Sequence, residues 1–130
     1  MNNIKVPVFV LVITVLTSLI ATVLGVWGWV SPETHTQYID GAFKLMISWS
    51  ARELGMGVAG LVAVLFYRDA RAFAVVLAGD LVREVLDVID FFRVPDTPIR
   101  FYFVVGTAAI LQAIALYLSV DAIRKHSSTE

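Results

Sequence analysis

Four long apolar stretches, separated by three short polar breaks and followed by a polar tail, make up this chain. Residues 4–30, 43–66, 70–92 and 99–123 are each long enough to cross about 30 Å of hydrocarbon as a helix, at about 1.5 Å of rise per residue. The first stretch holds no charge after Lys5 and ends on Trp27 and Trp29, which suit the aromatic belt of a membrane interface. Its basic start is like that of a signal peptide. The apolar run is too long for a signal h-region, however, and no A-x-A-like site follows, so an uncleaved span is expected. Residues 31–40 are polar and open on Ser-Pro-Glu, a helix breaker. Tyr67-Arg68-Asp69 is a tight turn. Arg93-Val94-Pro95-Asp96-Thr97-Pro98 ends a helix, because proline lacks the amide donor and restricts the residue before it. No internal repeat or low-complexity segment interrupts the pattern. The predicted fold is a single all-α domain over residues 1–130, a bundle of four transmembrane helices in up-down topology with both termini on the same side.

The third stretch breaks the apolar pattern in an ordered way. Asp80, Arg83, Glu84, Asp87 and Asp90 fall within an arc of about 120°, at about 100° per residue. Val75, Ala78, Val82, Val85 and Ile89 lie opposite. A charge at bilayer depth costs at least about 2.5 to 3.5 kcal/mol, so the stripe is expected to face the bundle interior and the valines lipid. A soluble amphipathic helix, or one lying flat on a membrane, is the plainer reading of such a face. A surface helix normally carries lysine and arginine there, whereas this one carries four acids and one arginine between strongly apolar neighbours.

The second stretch supplies partners. It holds Ser48, Trp49, Ser50, Arg52 and Glu53, then the small residues Gly55, Gly57, Ala59, Gly60 and Ala63, which let helix backbones approach closely in a membrane. Residues equidistant from the Arg68-Asp69 turn share a depth. Arg52 is then within reach of Glu84 and Asp87, and Glu53 is near Arg83. The same reasoning about Pro95 puts Thr107 near Glu84, Gln112 near Asp80 and Tyr102 near Asp90. Trp49 would line the mouth of any cavity. The candidate catalytic residues are therefore Arg52, Glu53, Asp80, Arg83, Glu84 and Asp87, with Trp49, Asp90, Tyr102 and Gln112 as candidate substrate-binding residues.

Composition agrees with lipid as the solvent. Of 130 residues, 58% are hydrophobic and 16% charged, with a mean hydropathy of +0.81; a soluble domain is usually about a quarter charged. The net charge of -1, with few and scattered basic residues, gives no reason to expect a nucleic-acid partner. With no cysteine, disulfides and thiolate chemistry are excluded. Lys5, Arg68, Arg71, Arg124 and Lys125 lie on the side of the termini, against Lys44, Arg93 and Arg100 on the other. The positive-inside rule thus favours cytoplasmic termini in a multi-pass protein of a bacterial inner membrane.

Counting charges brings in chemistry. Five carboxyls (Glu53, Asp80, Glu84, Asp87 and Asp90) face Arg52 and Arg83, with Arg93 at the rim. Two arginine–carboxylate pairs leave acids over, which must be hydrated, bind a cation or carry protons. A protonated acid beside an ionised one is what general acid–base chemistry uses. No cofactor is expected. His35 lies in a loop and His126 in the tail, no phosphate-binding or nucleophile-elbow motif is present, and two arginines within the cluster argue against a metal cage.

Through Arg52-Glu53-Leu54-Gly55-Met56-Gly57, Arg68-Asp69-Ala70-Arg71-Ala72 and the acidic stretch from Asp80 to Asp90, the chain resembles short bacterial four-helix integral membrane proteins grouped under domains of unknown function. That resemblance implies topology and no activity. Small multidrug-resistance transporters share the size, but they are built on a glutamate in the first span, which is absent here. The membrane glutathione-transferase relatives carry an Arg…Asn…Glu pattern on the second span, and asparagine occurs here only at Asn2 and Asn3.

The leading expectation is a small acid–base enzyme (an isomerase, cyclase or epoxide-opening hydrolase) acting on a lipophilic small molecule reached from the surrounding membrane lipids. Asp80 or Glu84 would donate a proton and Asp87 or Glu53 would accept one, while Arg52 and Arg83 hold their partners ionised. Proton- or cation-coupled transport is the rival, and four spans would then require a homo-oligomer. An accessory subunit docking through the Gly-rich face of the second span is a third reading. Ion pairs that merely fix helix packing are the plainest of all. A cavity open sideways to lipid favours the enzyme, one open to water favours transport, and a closed network favours packing.

Overall fold

The computed structural model describes residues 3–31, 43–93 and 99–128, with the backbone alone at 43–48, 90 and 91. All regular structure in these residues is helical: α1 spans Val8–Val30, α2 Phe43–Val62, α3 Ala70–Arg93 and α4 Ile99–Ser127. Among the described residues, three segments are long and apolar enough to cross a membrane: α1, Trp49–Tyr67 and α4, with mean hydropathies of 2.6, 1.3 and 2.0. The helix α3 has the length, but its acids and arginine set it apart from those three.

The boundaries depart from the sequence reading at three places. Residues 3–7 are not helical, and α1 starts only after Pro7 (φ -59°, ψ 142°), since proline keeps its predecessor out of the α region. At the end of α2 the helix widens into a π-turn over Ala63–Tyr67, closed by the Arg68 amide donating to the Ala63 carbonyl at 3.0 Å. The C-terminal helix runs past residue 123 to Ser127. Arg124, Lys125 and His126 in its last turn oppose the negative end of the helix dipole, and Lys125 pairs with Asp121 one turn back at 2.6 Å.

The non-helical N-terminal residues are tied to the α2–α3 turn. The Ile4 amide donates to Asp69 Oδ2 at 2.9 Å, and the Ala70 amide donates to the Ile4 carbonyl at 3.2 Å. A second Asp69 oxygen accepts the Arg71 amide at 2.8 Å. Burial pushes the Asp69 carboxyl up, but these two amides and the charges of Arg71 and His126 outweigh it and hold the group below its ordinary value. Its contribution to stability is therefore complete above an unfolded value near 3.8 and lost as pH falls through the lower folded value. Asp69→Ala is expected to cost about 1–2 kcal/mol at neutral pH and to show a smaller further loss at about pH 3 than the parent chain. Thermal melting at the two pH values measures both effects.

Packing divides the helices into two close pairs, α1 with α2 and α3 with α4, with α1 also touching α4. The first crossing is made by absence of side chains. A Cβ on Gly25 would stand 2.5 Å from the Leu54 amide nitrogen, and one on Gly57 would stand 2.5 Å from the Thr22 nitrogen and 2.8 Å from the Ser18 carbonyl. The Ser18 and Ser50 side chains occupy the hollows over Gly60 and Gly28. The small residues of the second stretch thus meet α1. A Cβ on Gly60 would also lie 3.6 Å from Val76 of α3, while Gly55 and Ala59 are exposed.

An apolar core of Val10, Ile13, Phe73, Leu77 and Ala115 lies toward the Asp69 end, where α1, α3 and α4 meet. On α3, Val75, Val82, Val85 and Ile89 are exposed and Ala78 is half-buried, while Asp80, Arg83, Glu84 and Asp87 turn inward. This is the orientation that the cost of burying charge in lipid requires.

Candidate functional site

In contrast to the glycine crossing, the backbones of α2 and α3 make few close approaches, and long side chains fill the space between them. Met56 covers Gly79, where a Cβ would stand 2.9 Å from the methionine methyl. Beyond it toward the Arg93 end, Asp80, Arg83, Glu84 and Asp87 recur on α3 at helical spacing and meet Arg52 and Glu53 of α2.

Arg83 is the centre. Its Nη1 donates to Glu53 Oε2 at 3.0 Å and stands 3.6 Å from Asp80 Oδ1, and its Nη2 donates to Glu84 Oε1. All four side chains are buried. A second pair lies further out, where Arg52 Nη2 donates to Asp87 Oδ1 at 2.5 Å. The Arg52 side chain is 36% exposed and that of Asp87 10%, so this pair forms the open edge of an otherwise closed set. The Nε atoms of both arginines are buried without a hydrogen-bond partner among the described residues. Within the set, four carboxyls share two guanidiniums. Every acid is drawn toward an arginine, and no three acids or histidines among the described residues form a group fit to hold a cation.

All six candidate catalytic residues therefore come together. The four candidate substrate-binding residues fare differently. Trp49 is half-buried, about one turn beyond Glu53. Gln112 is fully buried, and among the described residues neither of its amide atoms has a hydrogen-bond partner, Asp80 included. Tyr102 packs against Phe92, with ring centroids 5.1 Å apart, and lines an apolar cavity of about 450 Å³ with Ile99 and Phe103. The side chain of Asp90 lies outside the described residues. Thr107, expected beside Glu84, is exposed, because equal depth does not set the rotation of α4 about its axis.

Sequence reasoning missed the buried hydroxyls. Thr14, Ser18 and Ser119 are inside the bundle. Thr14 donates to the Val10 carbonyl at 2.8 Å, while the Ser18 and Ser119 oxygens have no partner among the described residues. The one-turn spacing of Thr14 and Ser18 on α1 was a readable signal: a helix surrounded only by lipid has no use for a hydroxyl repeated on one face. A second cavity, of about 390 Å³, lies at the Arg68 end. Neither it nor the Tyr102 cavity is lined by a member of the charge cluster.

Comparison with protein-family models, curated proteins and solved structures matches none of them to this chain.

Proposed function

We propose that the chain crosses a bacterial inner membrane four times, termini inside, and that its charge cluster is an acid–base site for the polar group of a lipophilic molecule. The up-down topology is supported by the bonds of Ile4 to the α2–α3 turn and by the nearness of His126 to Asp69, which gather both ends of the chain at one end of the bundle. The crossing of α3 is supported by its exposed valines and inward charges.

One observation carries the chemical reading: Arg83 is shared by three buried carboxyls. Packing alone needs one acid per arginine, and each further buried acid adds a desolvation cost that a brace does not recover. The surplus acid is Asp80 or Glu84, which donates a proton. Glu53, or Asp87 at the open edge, accepts one. Isomerisation or cyclisation by this route moves a proton without changing mass, whereas epoxide opening adds one water. Transport through a single chain is disfavoured by the apolar core of Phe73, Leu77 and Ala115, which lies between Asp80 and the Asp69 end. A relay would need a path between chains of an oligomer. The face open to an accessory-subunit partner is narrowed, since Gly57 and Gly60 are covered by α1 and only Gly55 and Ala59 of the small residues are exposed.

A second reading rests on the position of the cavities. The inner ion pairs are buried and line neither of the two cavities described above, and this favours a brace that holds α2 to α3. Mass spectrometry of total lipophilic extracts separates the two readings. Cells producing the parent chain are expected to accumulate or lose a compound as an isomer or a water adduct, and Asp80→Asn is expected to abolish the change while still folding. Identical extracts from cells with the parent chain, with folded Asp80→Asn and with no chain would leave only the brace.

A further inference from the structure

Away from the charge cluster, the cavity of about 390 Å³ opens where the start of α1, the π-turn of α2 and the start of α3 meet. Val6, Leu11, Val15, Val64 and Phe73 give it an apolar wall, and Arg68 is the charged member of the lining. Leu11 and Val15 stand one turn apart, so the wall continues along α1 in the direction a hydrocarbon tail would take.

Arg68 is placed there by backbone geometry. It caps the π-turn in the left-handed region, with φ 47°, a conformation that costs a residue with a Cβ about 1–2 kcal/mol. Its Nε donates to the Val64 carbonyl at 3.3 Å, which turns the side chain back over the end of α2, and among the described residues its terminal nitrogens have no partner. Lys5, next to Val6, and Arg71, two residues before Phe73, are exposed at the same end. Apolar depth under a cationic mouth matches one chemistry.

The geometry points to a seat for a single anionic phospholipid, one acyl tail along Leu11 and Val15 and the headgroup phosphate on Arg68. Phosphatidylcholine offers the same tail and phosphate, but its quaternary ammonium is repelled by Lys5 and Arg71. The seat therefore selects net negative charge. It is independent of the acid–base reading, because no residue of the charge cluster lines it.

Spin-labelled phosphatidylglycerol and phosphatidylcholine, added to the purified full chain in phosphatidylcholine bilayers, measure this directly as the immobilised lipid fraction. Phosphatidylglycerol is expected to associate about five-fold more strongly. Arg68→Gly is expected to remove that preference and to melt no lower than the parent, since glycine suits the left-handed position, so a lost preference cannot be put down to unfolding. Val15→Trp, which fills the groove, is expected to lower association of both lipids. Arg124→Gln, which removes an equal charge from the same end but not from the lining, is expected to keep the preference. The seat is overturned by equal association of the two lipids with the parent chain, by a preference that survives Arg68→Gly, or by one that falls as much with Arg124→Gln. Unchanged binding in Val15→Trp would overturn it too.

Discussion

Arg83→Met is expected to destabilise the bundle by about 3–5 kcal/mol, read from thermal or denaturant unfolding in detergent. The loss comes from what is left behind. Glu53, Asp80 and Glu84 are buried around the Arg83 guanidinium, and removing it strands three carboxyls between α2 and α3 with no cation in contact. The size of the effect does not measure how much the pairs stabilise the fold, because a buried pair replaced as a whole by apolar or neutral groups is often close to neutral. For that reason the decisive variant is the compensated one. Adding Glu53→Gln, Asp80→Asn and Glu84→Gln to Arg83→Met should return most of the lost stability, since amides of nearly the same shape cost far less to bury than ions. Arg83→Lys should fall between, because a single ammonium cannot reach three acids with the fork of a guanidinium. If Arg83→Met alone melts within about 0.5 kcal/mol of the parent, the three contacts do not exist together in the membrane. The compensated chain also bears on function. A stable, neutral cluster that still altered the lipophilic extract would move the chemistry elsewhere.

The charged stripe was legible because charge in lipid is costly enough to fix the rotation of a helix. The inward turn of Asp80, Arg83, Glu84 and Asp87 and the exposure of Val75, Val82, Val85 and Ile89 are what that cost imposes on any helix set in lipid. Depth matching succeeded across the Arg68-Asp69 turn, pairing Arg52 with Asp87 and Glu53 with Arg83, because a short turn leaves almost no freedom in register. It gave less for α4. That helix is apolar around its whole circumference, so nothing in its sequence says which side faces α3. Thr107 is exposed and Tyr102 packs on Phe92, whereas Gln112, one turn from Ala115, is buried. The small residues of α2 announced a close neighbour without saying which. Gly57 and Gly60 meet Thr22 and Ser18 of α1, and the matching signal on α1 was Gly25 and Gly28, one turn apart in a helix otherwise full of branched residues.

Gly57→Ala and Gly55→Ala are expected to have opposite signs, although they add the same methyl to the same helix two residues apart. At Gly55 nothing lies within 4 Å of the added carbon, so alanine should gain up to about 1 kcal/mol from its better helix propensity. At Gly57 the new carbon would meet the Thr22 nitrogen at 2.5 Å and the Ser18 carbonyl at 2.8 Å. Both are backbone atoms of a helix, which cannot swing aside as a side chain could. The helices must separate, at a net cost of about 1–3 kcal/mol, and Gly57→Leu should cost more. The strain should also reach the charge cluster. Glu53 lies one turn from Gly57, so moving α2 off α1 shifts the carboxylate that Arg83 holds at 3.0 Å. Glu53→Gln in the Gly57→Ala background should then cost less than it does in the parent, a coupling that a double-mutant cycle of unfolding free energies measures. Strict additivity would show that the crossing and the ion pairs are independent. Equal signs for the two alanines would show that α1 and α2 do not meet at Gly57.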